Sequence, residues 1–192
     1  GGLFSCRLAS EPPRAYRLRI DSGGAVHTAR DAYAFRVHPD AADLYLFNQG
    51  TLLEAYRAFG AAAMHIDGVS GTRFAVWAPN AERVSVVGDF NQWDGRVHPM
   101  QSQGASGVWC LFIPDVAAGA LYKFELRARD SGAVFIKSDP FAAEYEVRPS
   151  TAAKVCAATD YRWQDEAWLQ ARAQWGWQRA PINIYEMHVG SW

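Results

Sequence analysis

The chain has 192 residues, 49% of them hydrophobic, and a formal net charge of -1 from 19 basic and 20 acidic side chains. That is enough apolar material for one ordinary core or two small ones, and the near balance of charge, without basic runs, removes the electrostatic reason to expect nucleic acid or an anionic membrane as partner. Aromatic residues make up 14% of the chain, with eight tryptophans, a surplus that suits a neutral polyol ligand better than a charged one.

Residues 3–8 and 15–20 read as short strands, and Asp21-Ser22-Gly23-Gly24 as a turn returning the chain into a strand over 25–30. These strands are too few to close a core. Residues 1–42 are therefore expected to be the remainder of a first β domain, or a flap packed on the neighbouring C-terminal part of the chain. Over 43–59, Leu44, Phe47, Leu52, Leu53, Tyr56 and Phe59 gather on one side of helical structure interrupted at Asn48-Gln49-Gly50. With Thr51 as N-cap and Gly60 as stop, residues 43–67 are expected to form a helical linker.

After Gly68 the texture changes to short runs at 72–78, 83–88, 108–113, 122–127, 134–137 and 153–157, separated by turn residues such as Pro79-Asn80, Asp94-Gly95 and Asp130-Ser131-Gly132. That rhythm predicts a mainly β chain, with an immunoglobulin-like antiparallel sandwich over 68–160. Within 122–127, alternation points Tyr122, Phe124 and Leu126 inward and Lys123, Glu125 and Arg127 outward. Residues 161–181 carry Trp163, Trp168, Leu169 and Trp175 among polar residues, with Asp165 placed to cap a short helix; they read as a linker packed on a neighbouring domain. Residues 182–189 are apolar at most positions, like a strand of a parallel sheet covered on both faces. Residues 182–192 are accordingly expected to begin a further domain.

The candidate binding element is Asp89-Phe90-Asn91-Gln92-Trp93-Asp94-Gly95. Asn91, Asp94 and Gly95 suit a turn, and Trp93 between them has too short a span to reach a core. An indole exposed there stacks on the apolar C–H face of a pyranose while losing little hydrogen bonding. The alternative is a local cluster of Trp93 with Val97 and Pro99. Lys123, on an outward face, offers a cationic donor to a sugar hydroxyl, although a solvated lysine is the commoner finding. Trp109 reads as core and Trp77 as an interdomain contact. The candidate sugar-binding residues are Trp93, Lys123 and Asn91.

Glycoside chemistry needs two carboxyl groups flanking one bond. Asp89, Asp94, Asp139 and Glu186 lie on separate turns or strands, so none is assigned a catalytic role. The five histidines, His98 and His188 among them, show no metal spacing, and no cofactor is expected. Cys6, Cys110 and Cys156 are widely spaced and odd in number, and read as packed thiols of a reducing compartment. With no signal-length apolar run and no stretch approaching ~20 apolar residues, the expected location is the cytoplasm.

Several segments taken together resemble bacterial 1,4-α-glucan (glycogen) branching enzymes: GTRFAVWAPNA at 71–81, VSVVGDFNQWDG at 84–95, Ala120-Leu121-Tyr122-Lys123-Phe124-Glu125, Lys137-Ser138-Asp139-Pro140 and IYEMHVGSW at 184–192. The segment DLYLFNQG at 43–50 resembles the stretch joining the two N-terminal β domains of those enzymes. The resemblance implies an immunoglobulin-like glucan-binding module preceded by the tail of another domain and followed by the first strand of an α-amylase-type (β/α) barrel. Such enzymes cleave an α-1,4 linkage, hold the released chain on an aspartate and transfer it to a 6-hydroxyl with a glutamate as acid/base. Their catalytic residues belong to barrel strands beyond Trp192, so the implied partners here are an α-glucan and that barrel.

Similar modules occur in the glycogen-sensing subunit of AMP-activated kinase, where a turn Trp, a Lys, a second Trp and an Asn form the sugar site. Trp93 and Lys123 match the first two. Neither a second Trp near Lys137 nor an Asn near Ser150 is present, so tight binding by the module alone is not expected. A freestanding glycogen or starch adaptor, a spacer without sugar contact, and the corresponding portion of a trehalose-releasing hydrolase or an isoamylase are the alternative readings. The long stretch before Gly71 favours branching.

Overall fold

Turn chemistry decides where the strands of this chain begin and end. The computed structural model describes residues 5–10, 12, 15–35, 39–157 and 161–191. They form two compact units, Gly1–Ala158 and Thr159–Trp192. In the first unit, β1 (Arg17–Ser22) and β2 (Ala25–Arg30) pair antiparallel from Arg17↔Arg30 to Ser22↔Ala25. The turn between them is therefore Gly23-Gly24 alone, both at positive φ, as a two-residue hairpin loop requires. Of the strand expected at 3–8, residues 3 and 4 lie outside the described residues and 5–8 have no regular structure.

Two short helices come next, α1 (Ala41–Asn48) and α2 (Ala55–Ala58). The Asp40 carboxylate accepts from Ala42 N at 2.8 Å and so caps α1. The cap expected at Thr51 does not form: its hydroxyl donates instead to the Leu46 carbonyl, and Glu54 precedes α2 without a side-chain cap bond.

The remaining elements of this unit are β3 (Gly60–Ile66), β4 (Val69–Trp77), β5 (Ala81–Gly88), β6 (Gln101–Ser102), β7 (Val108–Pro114), β8 (Leu121–Ala128), β9 (Val134–Lys137), β10 (Glu144–Tyr145) and β11 (Ala153–Lys154). They make two antiparallel sheets, β3-β4-β7-β6 and β10-β11-β8-β5, with β9 also paired to β8. This is the expected immunoglobulin-like sandwich. The helical linker expected over 43–67 is corrected at its end, because 60–66 is a strand in register with β4 from Gly60↔Ala75 to Ile66↔Val69. Its alanines suit a helix, but Asp67 and Gly68 at φ 49° and 77° make a tight hairpin turn, and pairing along all seven residues overrides propensity.

Alternate residues of four strands meet between the sheets: Phe74 and Val76 from β4, Val84 and Val86 from β5, Leu111 and Ile113 from β7, Tyr122 and Phe124 from β8. The other face of the first sheet is covered as well. Ala75, Val108 and Cys110 pack beneath Leu44, Phe47 and Leu52 of the helical segment with Phe59, and Phe112 packs against Phe35 with ring centroids 5.1 Å apart. β4 and β7 are consequently buried at nearly every position, Thr72 and Arg73 of β4 included, whereas burial alternates over most of β8 because its outer face is left open. Contacts tie the residues after the hairpin to the sandwich: Arg30 Nε lies 3.3 Å from Asp115 Oδ2, and the Tyr33 hydroxyl donates to the Pro99 carbonyl at 2.9 Å. Residues 15–35 are thus packed on the sandwich.

No disulfide joins the cysteines; Cys110 is buried and Cys156 half-buried, while Cys6 is exposed rather than packed as expected. In the second unit, α3 (Glu166–Gln174) forms without a cap bond from Asp165, and none of its residues is buried. Residues 182–188 form no strand, and Ile184 is 88% exposed. A strand covered on both faces exists only where neighbours supply hydrogen bonds and apolar cover, and this segment pairs with no strand among the described residues. No helix among the described residues is long and apolar enough to cross a membrane.

Close approach of β4 and β7 leaves no room for a side chain at Gly71, where an added Cβ would fall 2.5 Å from the Ile113 carbonyl oxygen and 2.6 Å from Phe112 Cζ. Gly71→Ala is expected to lower unfolding free energy by ~1–3 kcal/mol, from the forced separation of the strands. Urea denaturation checks this, and an unchanged midpoint would contradict the packing described.

Candidate functional site

β5 ends at Gly88, where a Cβ would lie 2.6 Å from Phe90 Cε1, so only glycine lets the chain fold back at once into the single turn of 3₁₀ helix Asp89–Asn91. Gln92 and Trp93 come next, at φ 56° and 61°. Two successive non-glycine residues in the left-handed region cost on the order of 1 kcal/mol or more each and persist only where surrounding bonds impose them. Here the imposing group is Asn91. Its Oδ1 accepts from Gly88 N at 2.9 Å, and its Nδ2 donates to the Val86 carbonyl at 2.8 Å and lies 2.9 Å from His98 Nδ1. Trp93 N donates back to the Gly88 carbonyl at 3.0 Å and Asp94 N to the Asn91 carbonyl at 3.1 Å.

Asn91 is only 7% exposed, with its carboxamide committed to the loop. Expected among the glucan-binding residues, it is found shaping the loop, its side-chain bonds made to Gly88, Val86 and His98. A buried polar group is tolerated only when bonded, which is why an amide with both donors and acceptor sits there. Trp93 is 37% exposed, and its indole N–H donates to Asp89 Oδ1 at 3.0 Å, which fixes the ring's edge. Arg96 clasps both oxygens of Asp94 and holds that carboxyl well below the usual range, at about 2.

The loop lies against the open face of β8. A Cβ at Gly95 would meet the Glu125 carboxylate, and Glu125 in turn pairs with Arg83 at 2.7 Å. Lys123, two residues along the same face, stands opposite Val87 of β5. It is not dangling: its Nζ donates to Thr151 Oγ1 at 2.8 Å. Thr151 also lines a cleft of about 330 Å³ with Ser138, Tyr145 and Arg148. The structure thus lays the loop that carries Trp93 against the β8 face of Glu125 and Lys123, and adds Thr151, which sequence pattern does not single out.

None of the rejected carboxylates gains a catalytic setting. Asp89 and Asp94 are engaged as described, and Asp139 is fully buried, its oxygens accepting from the Tyr122 hydroxyl at 2.6 Å and Phe141 N at 2.8 Å. Burial pushes its carboxyl pKa up against the downward pull of those two donors. Glu186 belongs to the second unit. No group of three or more His, Cys, Asp or Glu side chains is arranged to hold a metal ion among the described residues. Trp77 is half exposed and meets Phe47 edge-on at 5.9 Å, while Trp109 packs on the core with its N–H bonded to the Ala78 carbonyl.

Residues 58–142 match the family model described as carbohydrate-binding module 48 (isoamylase N-terminal domain). The chain is 54% identical over 185 residues to the protein named 1,4-alpha-glucan branching enzyme GlgB of Nitrosospira multiformis, covering 94% of this chain and 25% of that protein. To its namesake in Pseudomonas aeruginosa it is 49% identical over 191 residues, covering 100% and 26%. The chain therefore spans about a quarter of the length of the curated relatives it matches. Among solved structures, a pullulanase of Klebsiella pneumoniae complexed with maltotriose matches 54% of this chain and 10% of its own, at 26% identity and a TM-score of 0.41. Residues 58–142 are thus similar to carbohydrate-binding module 48, and the chain as a whole is similar to about a quarter of the length of proteins named 1,4-alpha-glucan branching enzymes.

Proposed function

We propose that this chain serves a cytoplasmic 1,4-α-glucan branching enzyme as its glucan-recruiting N-terminal portion, and that cleavage and transfer of the α-1,4 chain to a 6-hydroxyl take place on another part of the protein. The observation that carries the reading is the tethered, part-exposed indole of Trp93, held in a strained loop whose Gly95 lies against Glu125 on the β8 face that also carries Lys123. Homology to branching enzymes supplies the ligand class. An indole face covers the C–H face of a glucose ring, and a ring whose edge is already bonded to Asp89 loses little freedom on binding. The Lys123 ammonium and Thr151 hydroxyl, already in contact, supply donors to sugar hydroxyls beside it.

Replacing the indole removes the stacking surface without touching the core. Trp93→Ala is expected to weaken retardation by glycogen in a native gel about ten-fold, the equivalent of ~1.4 kcal/mol. Lys123→Ala is expected to weaken it less, because a flexible, solvent-reached donor contributes little. Retardation unaffected by Trp93→Ala would move this portion to the spacer reading.

The loop also makes binding depend on pH. Burial lowers the pKa of His98 below its ordinary value of about 6.5. In the neutral tautomer that fits, Nδ1 accepts from Asn91 Nδ2; protonation would set two donors against each other. A folded-state pKa below the unfolded one gives stability that is present above about 6.5 and lost as pH falls toward the lower folded value. Glycogen retardation and the thermal midpoint are both expected to decline between pH 7.5 and 5.5, and His98→Gln is expected to flatten the decline. A pH-independent midpoint for the unsubstituted chain would contradict it.

A further inference from the structure

The loop from Gly88 to Met100 has two sides, and the binding reading uses one of them. On the other, Phe90, Val97 and His98 face His27 and Arg30 of β2 and Asp115 at the end of β7 across a cleft of about 430 Å³. This volume falls in the ~300–1,000 Å³ range of small-molecule clefts, and the lining combines apolar surface with a few planar polar groups, as such sites do.

We propose that this cleft is a second α-glucan subsite, with Phe90 and Val97 covering the apolar face of a sugar ring and Asp115, held by Arg30, bonding its hydroxyls. It rests on the reading of the chain as a glucan binder for its ligand class, and goes beyond it in location and residues.

Three features favour a neutral polyol. The charges in the cleft cancel, because Arg30 Nε lies 3.3 Å from Asp115 Oδ2, so an anion gains no net attraction. Arg30 Nε is also buried without a directed hydrogen bond, although it is near enough for an ion pair. Because that nitrogen makes no directed bond to it, the exposed Asp115 carboxylate keeps acceptor capacity for a sugar hydroxyl. Asp115 itself stands at φ 62°, a left-handed conformation unusual for a non-glycine residue, held by its N–H bond to the Ser70 carbonyl at 2.9 Å. Strain of this kind, kept where a turn presents a side chain to a cleft, points to a use for that side chain.

Because one loop backs both places, two weak sites on one branched polymer act together. The second engagement becomes intramolecular, and affinity for glycogen rises beyond that for a short oligosaccharide.

The test tracks the side-chain and amide signals of the isotope-labelled chain by NMR during titration with maltotriose and, separately, inorganic phosphate. Maltotriose is expected to shift His27, His98 and Phe90 as well as the Trp93 indole, while phosphate shifts none of the cleft signals. Asp115→Ala is expected to abolish the shifts of His27 and Phe90, leave that of Trp93, and reduce glycogen retardation at least three-fold; Asp115→Asn, which keeps the side chain's shape, serves as the second variant. Movement of Trp93 alone would overturn the cleft and leave the Trp93 reading intact. Movement of the cleft signals alone would support the cleft and sink the Trp93 reading. A response of the cleft to phosphate but not to maltotriose, or no response anywhere, would overturn the subsite.

Discussion

Asn91 is the residue on which the shape of the loop from Gly88 to Gly95 depends. Its carboxamide joins the end of β5, the start of the adjoining turn and the imidazole of His98, and those bonds hold Gln92 and Trp93 in a backbone conformation that neither favours. Each net hydrogen bond stabilises by ~0.5–1.5 kcal/mol, so three are of the right size to offset two strained residues. A buried side chain thereby determines where the indole points. The same bonds place Phe90 and His98 on the back of the loop, so both proposed glucan surfaces hang on one buried amide.

The face beside that loop is open because the two sheets are unequally covered. The sheet containing β4 and β7 is buried on both sides, by the core and by the helical segment with Phe35 and Phe59. Side chains there have nowhere to meet a ligand. The sheet containing β5 and β8 has the core on one side only, and its outer face carries Lys123, the Arg83–Glu125 ion pair and the loop itself. Recognition in such an arrangement belongs to the turn and the outer residues, while the inner aromatic cluster of Phe74, Tyr122 and Phe124 keeps the platform rigid.

Much of this is legible in the sequence, and the rest is hidden for physical reasons. Alternation in 122–127 and the turn residues on either side locate β8 and its outward Lys123, because a half-buried strand must alternate. Trp93 is legible because a ring inside a short turn has no route to the core. β3 is hidden because Gly60-Ala61-Ala62-Ala63 carries helix propensity, and its pairing with β4 outweighs that preference. Asn91 reads as a surface group because asparagine in a turn usually is one; its burial depends on Val86 and His98, residues that only the folded loop brings to it. The pairing of Lys123 with Thr151, 28 positions apart, likewise leaves no mark in local pattern.

Calorimetric titration of maltoheptaose into the unsubstituted chain, Trp93→Ala and Asn91→Ala, each checked for folding by circular dichroism, tests the central claim most directly. If the buried carboxamide sets the loop, Asn91→Ala weakens binding as much as Trp93→Ala does, although Asn91 is out of a ligand's reach. Binding by a folded Asn91→Ala chain equal to that of the unsubstituted protein would contradict the account.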